Sequence, residues 1–173
     1  MRPGLLTVGI AVCLTLLGGC ASQPKLMGHD GPLSVGGNDQ NTACVPGSQT
    51  GEYTYAVDSV TNTSSSSIQV SKVALVDPQN ASSEGAFLAP VVDNTLIGLE
   101  YGWPPPVVAP GSWDKKLPLP AAIKPGETRN LVLHIKATTP ATIDALELTY
   151  AYQGKELRVR NSTIAQIRVK CGP

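Results

Sequence analysis

The stretch TRNLVLHIKATTPATIDALELTYAY, residues 128 to 152, sets the fold class. Arg129, Leu131, Leu133 and Ile135 alternate with Thr128, Asn130, Val132 and His134, the period-two pattern of a half-buried strand. Ile143 to Tyr152 repeats the pattern, with Leu146, Leu148, Tyr150 and Tyr152 on one face. His134 falls on the face opposite Leu131, Leu133 and Ile135, which directs it to solvent or to a polar rim. Upstream, Ile123-Lys124-Pro125-Gly126-Glu127 reads as a Pro-Gly turn. Downstream, Gln153-Gly154-Lys155 reads as a hairpin turn, Leu157 and Val159 continue the sheet, and Ile164 to Cys171 forms a last strand. Earlier in the chain Tyr53, Tyr55 and Val57 alternate with Thr54, Ala56 and Asp58, and TNTSSSS, residues 61 to 67, is a polar turn. Ile68 and Val70 then alternate, and the phase slips to Val73 and Leu75, which places a bulge near Ser71-Lys72. Asp77 to Asn80 closes that strand, and Phe87 to Val92 and Thr95 to Tyr101 are two further short apolar segments. No stretch carries a helical period. The expectation is all-β: an antiparallel sandwich of about seven to nine short strands.

The first 20 residues read differently. Arg2 precedes an uncharged run of 13 residues, Leu5 to Leu17. That is short for a helix crossing a ~30 Å hydrocarbon core, which needs about 20 residues, and it suits the apolar region of an export signal. Leu17-Gly18-Gly19-Cys20 follows and resembles the lipobox of bacterial lipoprotein precursors. The resemblance implies cleavage before Cys20 and attachment of a diacylglycerol to its thiol. It departs from the usual pattern only in Gly18, where Ala or Ser is commoner. Two or more acyl chains give stable membrane attachment where one gives only marginal binding. Ala21 after the cysteine resembles the outer-membrane sorting class if the host is Gram-negative; in a Gram-positive host the anchor is on the outer face of the cell membrane. A secretory signal cut near Ala21 and an uncleaved anchor are the alternatives. Residues 21 to 43 are polar, glycine-rich and without period. As a flexible tether of about 23 residues they have an r.m.s. span of roughly 25 to 29 Å. His29 and Met27 lie there as solvated linker residues. The expected organisation is a signal peptide over 1–19, a lipidated tether over 20–43 and one sandwich domain over 44–173.

Cleavage leaves 154 residues with 12 basic and 13 acidic side chains, a net charge of −1. Lys115-Lys116 and the alternating Arg158 and Arg160 are the densest basic groups. A nucleic-acid interface wants a basic patch, so no nucleic-acid partner is expected. Cys13 leaves with the signal and Cys20 takes lipid, so Cys44 and Cys171 remain. Outside the cytoplasm two such cysteines pair by default, which would staple the start of the domain to its end around a loop of about 130 residues. A metal site or a free thiol is the alternative.

The stretch from Gly51 to Cys171 also resembles the immunoglobulin-like domains of small bacterial surface lipoproteins. The matching elements are the Thr61-Asn62-Thr63-Ser64 turn, Pro125-Gly126-Glu127-Thr128 leading into Leu131-Val132-Leu133, and Leu148-Thr149-Tyr150-Ala151-Tyr152. The chain departs from antibody domains: its cysteines sit at the domain's two ends and its tryptophans in a loop, so no antibody-type site is implied.

Nucleophilic catalysis needs a nucleophile, a base and an orienting group. His134 is the one histidine of the expected domain, and no Gly-x-Ser-x-Gly elbow or phosphate-binding fingerprint occurs. Asp144, Glu147 and Glu127 would make a glycosidase pair only across a cleft. A copper site could recruit Cys171 and His134, but the second histidine and the mature chain's methionine lie in the tether. No catalytic residue, metal or cofactor is therefore assigned. Tyr101, Trp103 and Trp113 stand in a proline-stiffened loop, YGWPPPVVAPGSW, residues 101 to 113. They read either as a lid on the core or as a binding surface, since Trp and Tyr are favoured binding anchors and a stiff loop loses little entropy on docking. The functional expectation is a lipid-anchored envelope protein with a non-catalytic domain that binds an envelope protein or glycan. The alternative is an assembly subunit acting through strand edges.

Overall fold

The computed structural model describes residues 31–172 except Asn38, Ser48, Val107 and Ala109. Two β-sheets pack face to face, and among the described residues the one departure from strand and turn is a 3-10 turn at Trp113–Lys115. The expected all-β antiparallel sandwich is what the chain adopts.

The larger sheet is organised around β9 (Thr128–Ile143), a 16-residue strand. Its partners are β3 (Thr50–Asn62), β5 (Gln79–Pro90) and β12 (Thr163–Arg168). The outer edge of β3 carries β1 (Leu33–Val35) and β6 (Gly98–Tyr101), and β5 carries β7 (Leu117–Pro118). β12 pairs β2 (Asn41–Pro46) in parallel over six positions. The smaller sheet has the order β11 (Lys155–Arg160), β10 (Ala145–Tyr152), β4 (Ile68–Val76), β8 (Ala121–Ile123).

The alternation in 128–152 places the core as expected. Leu131, Leu133 and Ile135 from the large sheet meet Leu146, Leu148 and Tyr150 from the small one, all at most 1% exposed. The bulge near Ser71-Lys72 is present: Thr149 pairs Lys72 and Tyr150 pairs Val70, which leaves Ser71 as the extra residue. The polar turn after β3 is closed by Asn62, whose Nδ2 donates to Ser66 O at 2.8 Å and Ile123 O at 2.9 Å.

Several expectations are corrected. The described residues hold twelve strands, not seven to nine, because short edge strands such as β1, β7 and β8 are too brief to show a period. The tether does not run to residue 43. Leu33 and Val35 are each 1% exposed and pair with Asn62 and Val60, so the sandwich begins at β1. The expected start at residue 44 falls inside β2. Segments 128–135 and 143 are one strand that runs on through Thr138-Thr139-Pro140, since β5 and β12 pair its far half. β5 extends upstream to Gln79 through polar residues that an apolar period could not reveal.

Candidate binding surfaces

The outer face of the large sheet carries a second, smaller core. Ala56, Ala89, Ile97 and Val132 are buried there, with Phe87, Trp103, Val108 and Trp113 packed against them. β9 therefore buries both faces, since Val132 and Asn130, opposite the inner leucines, are both fully buried. The cover is the proline-rich loop itself. Trp103 stacks on His134 with ring centroids 4.4 Å apart and planes 4° apart. Trp113 meets Trp103 edge-on at 5.1 Å and Phe87 at 5.6 Å, and Lys116 Nζ lies 4.5 Å from the Trp113 ring. Three hydrogen bonds pin the loop to the sheet: Thr54 Oγ1 donates to Gly102 O, Gly102 N to Glu52 O, and Ser112 Oγ to Pro90 O.

The three residues singled out as a binding surface thus separate. Trp103 and Trp113 are half-buried lid residues, each with a ring face already occupied. Tyr101 stays 62% exposed, leaning edge-on against buried Tyr53 at 5.3 Å and bordering a shallow hollow with Pro46, Gly47 and Val169.

Cys44 and Cys171 form the expected disulfide, with Cα atoms 5.9 Å apart. Its partner atoms are therefore not metal ligands. Among the described residues no group of three or more His, Cys, Asp or Glu side chains could hold a metal ion. Cys20, His29 and Met27 lie outside the described residues.

Of the two readings of His134, solvent or a polar rim, open solvent is not what it meets, because the Trp103 ring covers it. Its Nε2 is 3.7 Å from Glu52 Oε1. Glu147 and Glu127 are each engaged by arginine. Glu147 takes Arg160 at 2.7 Å and Arg158 at 3.4 Å on the outer face of the small sheet. Glu127, in the turn before β9, accepts from Lys124 N at 2.9 Å and pairs with Arg129 at 2.6 Å. Partial burial pushes its carboxyl up, but the Lys124 amide and the Arg129 guanidinium outweigh that and hold it below the usual carboxylate range.

The sequence reading missed a buried polar cluster at a bulge in β3. Tyr55 pairs Leu133, yet Asp58 pairs Leu131, so β3 holds one residue more than β9 between these pairs. The inward phase shifts from Tyr53 and Tyr55 to Asp58, Val60 and Asn62. Asp58, 2% exposed, accepts hydrogen bonds from Tyr55 Oη at 3.0 Å, Asn161 Nδ2 at 2.6 Å and Thr163 Oγ1 at 3.0 Å. Asn161 spans the two sheets, because its Oδ1 accepts from Leu146 N at 2.6 Å. Burial first, and then the Asp58 charge, push the Tyr55 phenol far above its usual range. The sequence signal available was Asp58 itself, a carboxylate in a strand flanked by Val57 and Val60.

Beside this cluster a groove of about 490 Å³ opens between the edge of β2 and the edge of β3. Asn41 to Ala43 of β2 and Val57 to Ser59 of β3 line it, together with Gly36, Gly37, Leu96 and Thr163.

No protein-family model matches the sequence, and no curated protein is significantly similar to it. Among solved structures, the ASH / PapD-like domain of human CEP192 (PapD-like domain 7) aligns over 95% of this chain and 97% of its own, at 10% identity and a TM-score of 0.33. A likeness that distant carries no functional information.

Proposed function

We propose that the chain is a lipid-anchored protein of the bacterial cell envelope whose sandwich is a non-catalytic binding or scaffolding module. The observation that carries the reading is the disulfide between Cys44 and Cys171 in a chain that opens with an export-type apolar run and Leu17-Gly18-Gly19-Cys20. Structural disulfides persist in oxidising, exported compartments. Leu33, the first strand residue among the described residues, lies 13 positions after Cys20. That span reaches at most about 45 Å, so a lipid on Cys20 keeps the sandwich close to the membrane. The non-catalytic part rests on His134, whose ring lies beneath Trp103, and on Glu127 and Glu147, each tied to an arginine.

The test is intact mass and N-terminal analysis of the chain produced in a bacterium. Mature chains beginning at a diacylglyceryl Cys20 support the reading, and C20A should then remain unprocessed. An unmodified N-terminus near Ala21 overturns the anchor.

A second reading, an assembly subunit that pairs through strand edges, draws on the small sheet, whose edges are β8 and β11. β11 carries Lys155, Glu156, Arg158 and Arg160, charges of the kind that discourage indiscriminate edge pairing. That favours the first reading.

A further inference from the structure

The groove between β2 and β3 has an uncommon electrostatic character. Asp58 is the one charged residue in its lining. All three partners of that carboxylate are neutral donors, and it takes part in none of the ion pairs found among the described residues. A buried anion without a counter-charge is costly, and the nearby opening is where a counter-charge can enter. Gly36, at φ +61°, packs so tightly on Asp58 Oδ1 that any side chain there would collide with the carboxylate. Along its outer edge β3 pairs β6 at Tyr53 to Ala56 and β1 from Val60 onward, and Ser59 O accepts from Gly36 N at 2.9 Å, so only Val57 and Asp58 lack a neighbour on that side; β2 pairs only β12. Val57 and the 41%-exposed Leu96 supply apolar wall.

We propose that this groove binds a primary ammonium group carried on a short aliphatic chain, with Asp58 as its counter-charge and Val57 and Leu96 against the methylenes. This inference rests on the reading of the sandwich as a binding module, though not on the lipid anchor. The volume lies in the range of small-ligand sites. A hard metal ion fits less well, because it wants several oxygen ligands and the lining offers one carboxylate. An ammonium has three donors, which one carboxylate, the polar side chains of the lining and water satisfy.

The test is amide chemical-shift titration of the full chain in detergent with butylammonium, against butanol and pentanoate as neutral and anionic controls of similar length. Saturable shifts at Gly36, Ser59 and Thr163 with butylammonium alone are expected, at about millimolar affinity for so small a probe. Asp58→Asn should weaken binding at least tenfold. If that variant fails to fold, Thr42→Lys decides: it sits on an exposed β2 position and places a resident ammonium at the groove, so butylammonium shifts should vanish while the fold is kept. N-acetyl-lysine methylamide separates the two sources of the group. Saturable binding of it supports a lysine side chain as ligand, and binding of butylammonium alone supports a free amine. Equal binding of pentanoate or butanol, no saturable shift, or undiminished binding in Thr42→Lys would overturn the proposal. A missing lipid in the mass analysis would leave this result standing, so the two readings fail separately.

Discussion

Replacing Cys44 and Cys171 together by serine should cost this domain a large share of its stability without altering its folded form. The two cysteines are 127 residues apart. Releasing a loop of that length returns roughly 16 to 17 cal/mol/K of entropy to the unfolded chain, or about 4.9 kcal/mol at 25 °C. Roughly 140 ordered residues unfold with about 0.3 kcal/mol/K of entropy, so the midpoint temperature should fall by roughly 15 °C. The folded state should barely notice. β2 and β12 remain paired at six positions, and the tail beyond Arg168 packs little, with Val169 76% exposed. The assay is urea denaturation followed by tryptophan emission and circular dichroism. The denaturant slope should rise, since an uncrosslinked chain exposes more surface when it unfolds. A loss below about 1 kcal/mol with an unchanged slope would refute the entropic account. So would a changed tryptophan spectrum in the absence of urea, because the bond would then be shaping the native sheet.

The remaining predictions concern the lid and the polar clusters. Trp103→Ala should destabilise by about 2 kcal/mol in urea, below the 3 to 5 of a fully buried aromatic because the ring is half-exposed. The same change should raise iodide quenching of Trp113, which loses its edge-on partner; unchanged quenching would detach Trp113 from the lid. Asn161→Ala should cost about 3 kcal/mol, because it strands the Leu146 amide and removes a donor from Asp58. Tyr55 has a raised pKa in the fold, so its stabilisation is complete below pH 10 and is lost above it, as the unfolded phenol ionises first. Stability should fall by about 1.4 kcal/mol per pH unit on that limb, and Tyr55→Phe should flatten it. Glu127 has a lowered pKa, so its contribution is present above its unfolded pKa and disappears as pH falls through the folded one. Glu127→Gln should shallow the acid limb of a stability profile.

The strand class, the inner core and the turns were legible because they depend on local rules. Leu131, Leu133 and Ile135, then Leu146, Leu148 and Tyr150, alternate with period two and face the inner core, and Pro125-Gly126 turns with Gly126 at φ +70°. What stayed hidden depends on partners far along the chain. Leu33-Ser34-Val35 is too short for a period and becomes a strand only because Val60 to Asn62 receives it. The polar half of β5 is held by backbone pairing to β9, to which side-chain hydropathy is blind. His134 reads as exposed from its neighbours, and only a loop some 30 residues upstream in sequence covers it. Of the proposed binding loop, the residue types were right for a surface and right for a lid, and the geometry of His134 beneath Trp103 separates the two uses.

The bulge in β3 accounts for more of this molecule than its size suggests. Without it, the strict alternation from Tyr53 would point Val57 and Ser59 inward and Asp58 outward. With one extra residue, Thr54 and Ala56 stay on the outer face beneath the tryptophan lid, while Asp58, Val60 and Asn62 turn in. Thr54 then anchors the lid through Gly102, and Asp58 gathers Tyr55, Asn161 and Thr163 into the cluster that ties the sheets together. The same local kink falls where the outer edge of β3 passes from β6 to β1, so the wall of the groove and its anionic floor have one origin. A bulge re-aims a side chain at the cost of local pairing. Here that cost falls beside a buried charge that has no counter-ion, which is the charge the proposed ammonium group would balance.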